Sequence, residues 1–162
     1  RRGRQAIRQT IICFSKDYFV YFIVHEGAHL LYALMIGSYK QINVLFLGIQ
    51  IDVYHELMSD TQMGIFCLVD TLPTLIVAYL LVLFTARIAK LSSKIVKAGF
   101  YYSTLALLFV DPLYLSILSS FVGGGDMNGI HLLLPENRVR MIFGLIFIMN
   151  LLDLIPMTHW QS

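Results

Sequence analysis

His25, Glu26 and His29 stand in "YFIVHEGAHLLYALMIG", residues 21–37, a run whose other side chains are almost all apolar. On a helix, positions i and i+4 share one face a turn apart, so both imidazoles can reach a single cation. This is the H-E-x-x-H order, in which two histidines bind Zn2+ and the glutamate stays off the metal as general base toward a water. An ionisable group at the centre of a bilayer costs about 2.5–3.5 kcal/mol on insertion scales. Three such groups within residues 25–29 therefore require a function or a compensating partner. The competing reading is a hydrogen-bonded His/Glu cluster that holds no metal.

A catalytic zinc needs a third protein ligand and an open position. Asp126 in "SSFVGGGDMNGI" is the first candidate, because Gly123–Gly125 and Gly129 let the backbone bend into a cavity between helices. Asp111, followed by Pro112, is the alternative ligand or else a polar contact between helices. Asp70, three residues before Pro73, marks an expected kink and is a hydrogen-bond partner for a ligating histidine. His131 is a further candidate, as ligand or proton shuttle. His55, Asp153 and His159 lie near the ends of apolar runs, where solvated roles are expected.

The elements that must position these residues are set by composition. Of the 162 residues, 57% are hydrophobic and only 14% charged, with a mean hydropathy of +0.72. Soluble domains carry about 25% charged residues, so the expectation is an integral membrane protein with a single domain over 1–162. A spanning helix needs roughly 20 apolar residues. Runs at about 18–37, 63–86, 98–122 and 141–157 meet or approach that length. The fold class expected is an all-α bundle of about four transmembrane helices.

Arg1, Arg2, Arg4 and Arg8 before the first run, and Arg87, Lys90, Lys94 and Lys97 between the second and third, belong on the cytoplasmic side. The N-terminus is accordingly expected inside, and Arg138 and Arg140 then fit poorly on the outside. Between the first two spans, Ile42–Leu47 and Ile49–Tyr54 flank Gly48 and read as a short β-hairpin or edge strand near the membrane surface. Cys13 and Cys67 form no C-x-x-C pair, which disfavours a thiolate site. A net charge of +2 gives no reason to expect nucleic acid.

"HEGAH" in the first apolar helix, the hairpin-like segment after it, the proline-bearing "DTLPTLIVAYLL" and the later "GGGDMNG" together resemble the site-2 protease family of intramembrane zinc metalloproteases. The resemblance covers about residues 18–130. It implies that His25, His29 and Asp126 are zinc ligands and Glu26 the general base, in hydrolysis of peptide bonds within the bilayer. The implied substrates are transmembrane or signal-peptide-like segments, which must unwind locally before cleavage, and an edge strand near Ile42–Val53 can hold them extended. Two other classes stand beside this one. The polar cluster suits an ion- or metal-handling membrane protein, and a catalytically inactive scaffold of the same fold would bind partner helices.

Overall fold

The computed structural model describes residues 20–45, 48–122 and 125–157. The basic residues at 1–8, Cys13 and His159 lie outside these ranges. Helix α1 (Val20–Met35) carries the H-E-x-x-H residues. It ends two residues short of the expected span, because Gly37 adopts φ +71° and reverses the chain. The Gly37 N–H reaches the Leu34 carbonyl at 3.3 Å and the Ser38 N–H reaches that of Ala33 at 2.9 Å. This is the Schellman termination, in which glycine takes a left-handed conformation without a Cβ penalty.

The reversal leads into an antiparallel hairpin, β1 (Tyr39–Leu45) and β2 (Gly48–Val53), with Ile42 opposite Ile51 and an irregularity between Tyr39 and Gln41. The expected hairpin forms, but Gly48 opens β2 instead of separating the two strands. Ile51 and Val53 point inward and are buried with Ala33, Phe66 and Leu115. Each contributes roughly 1.5–3 kcal/mol of apolar burial, which a two-stranded sheet needs because alone it is marginal. Asp52, between them, faces outward to Lys40 at 3.0 Å. Their contact holds the Lys40 ammonium above its ordinary range and the Asp52 carboxyl below its own.

The second apolar run is two helices. Helix α2 (Asp60–Phe66) starts three residues earlier than expected, behind a reciprocal cap in which Ser59 and Gln62 satisfy each other's backbone N–H. A turn over residues 67–70 breaks the run before α3 (Thr71–Leu83). The break falls at Asp70 and not at Pro73, because Pro73 occupies the first turn of α3, where a missing N–H costs no helical bond. After α4 (Thr85–Ile88), Ser93 caps α5 (Lys94–Leu113), so Lys94 and Lys97 belong to a helix and not to the expected link. A π-helical turn (Tyr114–Leu118) and α6 (Ser119–Val122) continue α5. Then follow α7 (Asp126–Ile130) and α8 (Glu136–Met157).

Arg138 and Arg140 therefore lie inside α8 and not in a loop. Arg140 pairs with Glu136 one turn back, and its Nη1 donates to the Ser116 carbonyl at 3.2 Å. Among the described residues, two stretches are long and apolar enough to cross a membrane, Asp60–Leu83 and Lys94–Val122, each only one-third buried within the chain. Helix α1 is apolar but shorter.

Pro112 has no N–H and cannot bond the Leu108 carbonyl four residues back. Asn150 of α8 supplies the missing donor: its Nδ2 reaches Leu108 O at 2.5 Å, and its Oδ1 accepts from the Tyr79 hydroxyl at 2.5 Å. One fully buried amide thus ties α8 to α3 and α5. Replacing Asn150 with Leu removes the donor to the buried Leu108 carbonyl, a loss of about 1–3 kcal/mol. Thermal unfolding in detergent should show that loss for Asn150→Leu, while Leu152→Ala on the exposed side of the same helix stays within about 0.5 kcal/mol of the parent; equal effects would contradict the clip.

Candidate metal centre

Tyr21, His25 and His29 follow one another at one-turn intervals on α1, with Ala33 next on the same stripe and fully buried. The His25 and His29 rings lie 5.1 Å apart edge to face, and the Tyr21 ring lies 5.1 Å from His25 on the other side. Ile23, Leu31, Leu34 and Met35 occupy the exposed side of the helix. His29 packs against Phe66 at the end of α2, ring centroids 4.5 Å apart.

Two aspartates from distant segments close on the histidines. Asp70 precedes α3 at the helix break and is only 2% exposed. Its carboxylate does not cap α3. Oδ2 instead lies 2.9 Å from His25 Nδ1, while Oδ1 stands 3.9 Å from His29 Nε2. Asp126 is the first residue of α7, directed there by Gly125 at φ +62°. Helix α7 sits on α2 with Gly129 against Cys67, so close that a Cβ at 129 would overlap the sulfur. That approach brings Asp126 Oδ1 to 3.8 Å from His29 Nε2 and Oδ2 to 4.0 Å from His25 Nε2. Donor atoms from His25, His29, Asp70 and Asp126 all fall within 4.8 Å of one another.

The other expected residues take different places. Asp111 is buried and receives the Tyr21 hydroxyl and, at 2.6 Å, that of Thr74; it lies outside the four-donor group, 3.3 Å from His25 Nδ1. Glu26, one position round α1, accepts the Ile51 N–H of β2 at 3.1 Å. His131 ends α7 exposed and His55 lies exposed in a short turn, neither belonging to the group. The side chain of Asp153 and the whole of His159 lie outside the described residues. Tyr21 and Thr74 were not expected from sequence. The i−4 spacing of Tyr21 from His25 was the available signal for the first, and for Thr74 there was none.

The cluster fits a metal ion. Asp70, Asp111 and Asp126 face two imidazoles, and among the described residues no Lys or Arg forms an ion pair with any of the three. The buried Asp70 Oδ1 has no hydrogen-bond partner, an arrangement that costs about 1–3 kcal/mol or more for a charged group unless a cation satisfies it. Separations of 3.8–4.0 Å between Asp126 oxygens and the Nε2 atoms are slightly wider than the roughly 3.4 Å edge of a tetrahedron with bonds of about 2.1 Å. These two separations exceed that edge by about 0.4–0.6 Å, and the four-donor group as a whole, within 4.8 Å, would have to contract further around an ion. Compared with family models, curated proteins and solved structures, the chain matches none.

Removing one donor from so small a set should severely weaken metal binding. Elemental analysis of His25→Ala and Asp126→Asn should show most of the parent's metal gone from each. Parental metal content in Asp126→Asn would remove that residue from the donor set.

Proposed function

We propose that this chain is an intramembrane zinc metallopeptidase, as its resemblance to the site-2 protease family implies. The observation that carries the reading is the division of labour around α1. Both Nε2 atoms and Asp126 converge, while Glu26 is turned aside to the hairpin. His25, His29 and Asp126 would hold zinc, whose chemistry when bound is to polarise a carbonyl and bring the pKa of a water toward about 7. Glu26 would be the residue beside that site able to accept a proton from water and to deliver one to the leaving amine.

The membrane reading rests on the exposed apolar surface. Leu72, Ile76, Leu80 and Leu83 on α3, and Leu145, Ile148, Met149 and Leu152 on α8, recur at helical spacing on exposed faces. A lipid surface tolerates this and water does not. In this reading α1, α2–α3, α5–α6 and α8 are the four spans, and the N-terminal arginines stay in the cytoplasm. The hairpin serves the substrate. The Ile51 backbone N–H goes to Glu26, which turns it to the edge of β2 away from β1; Ile49 faces the same edge by alternation, and no strand among the described residues covers it. An unwound transmembrane or signal-like segment laid along that edge recovers backbone hydrogen bonds and passes beside Glu26.

The second reading, a metal-handling membrane protein, draws on Asp70. A fourth protein donor would close the site, and a closed site suits holding a metal better than catalysis. Cleavage separates the two. Incubated with apolar helical peptides in detergent or bilayers, the parent should hydrolyse them, and Glu26→Gln should keep its zinc while losing at least about 10²-fold in rate. Undiminished turnover in Glu26→Gln would refute the assigned base, and zinc without turnover in the parent would favour the handling role.

A further inference from the structure

His25 has two faces, and proton bookkeeping assigns them. Its Nδ1 meets the Tyr21 hydroxyl oxygen at 3.0 Å, Asp70 Oδ2 at 2.9 Å and Asp111 Oδ1 at 3.3 Å. The Tyr21 hydroxyl has one proton, and it goes to the Asp111 carboxylate. Toward His25 the phenol oxygen can then only accept, and the two carboxylates, in their ionised form, likewise only accept. Nδ1 must therefore be the protonated nitrogen, which leaves the Nε2 lone pair for the cleft shared with His29 and Asp126. Asp111 has both oxygens engaged, one by Tyr21 and the other by Thr74, whose hydroxyl also lies 2.8 Å from the Thr71 carbonyl. It is buried and anchored to α3 on one side and α1 on the other.

We propose that Asp111, aligned by Tyr21 and Thr74 and acting beside Asp70 Oδ2 on the same nitrogen, is a positioning residue that holds His25 with Nδ1 protonated and Nε2 presented to the metal, and is not itself a ligand. This rests on the zinc reading above. It assigns the two aspartates that sequence left as alternatives to different jobs, with Asp126 facing the Nε2 atoms and Asp111 steering from behind. Groups that orient a ligating histidine in this way typically change metal affinity by about 10–100-fold when removed.

The test uses the full chain in detergent, with zinc itself as probe, titrated against a competing chelator. Asp111→Ala should still bind one zinc per chain but about 10–100-fold more weakly. Asp111→Asn should recover part of the loss, because its amide oxygen still accepts from Nδ1–H. Tyr21→Phe keeps the ring and its packing, so a drop in zinc affinity without a drop in thermal stability reports positioning and not folding. In the zinc-loaded parent, nitrogen-15 spectra of labelled histidine should show the His25 proton on Nδ1. Parental affinity in Asp111→Ala, complete loss of stoichiometric zinc in Asp111→Asn, or a proton on Nε2 would each overturn the proposal. A parent that binds no zinc would overturn it together with the zinc reading, whereas a zinc-binding parent indifferent to Asp111 and Tyr21 would overturn the positioning role alone.

Discussion

Three carboxylates against two imidazoles, Asp70 and Asp111 buried and Asp126 partly exposed, with no lysine or arginine paired to them among the described residues, set the constraint on which the rest of this structure depends. In a low-dielectric interior, like charges at this range repel strongly and desolvation adds several kcal/mol per ion. Hydroxyls from Tyr21 and Thr74 quench part of the charge on Asp111. Asp70 retains an oxygen with no partner. A divalent cation bound where the two Nε2 atoms and Asp126 meet would supply what is missing.

The helix irregularities serve that convergence. The break before Thr71 lets Asp70 turn inward, and the left-handed Gly125 starts α7 where Asp126 can reach α1. Gly129 allows α7 to lie directly on Cys67 of the broken run. Pro112 loosens α5 next to Asp111, and the carbonyl it abandons is recovered by Asn150 from α8. The breaks at Asp70 and Gly125 thus carry aspartates to the centre, and Asn150 repairs the backbone beside a third. The two hydrophobic clusters meet around this polar centre, Tyr21 belonging to one and Phe66 and Met127 to the other.

What was legible in the sequence is what local spacing encodes. His25 and His29 declare a shared helical face at i and i+4, the glycines before Asp126 declare a bend, and β-branched residues on both sides of Gly48 declare the hairpin. Helix starts were less legible, because counting oil-compatible residues omits the polar first turns at Asp60, Lys94 and Glu136 that capping and pairing make helical. Asp111, Thr74 and Asn150 acquire their roles through partners 90, 37 and 42 residues away. No periodicity reports such contacts. Asp70 was legible as a polar group near a kink, but its unpartnered oxygen emerges only when four segments are assembled.

X-ray absorption at the zinc edge, on the purified full chain, tests the central claim most directly. The account predicts one zinc per chain in a shell of two imidazole nitrogens and carboxylate oxygens at about 2.0–2.2 Å. A chain that retains no zinc, or a shell containing sulfur at about 2.3 Å from the neighbouring Cys67, would contradict it.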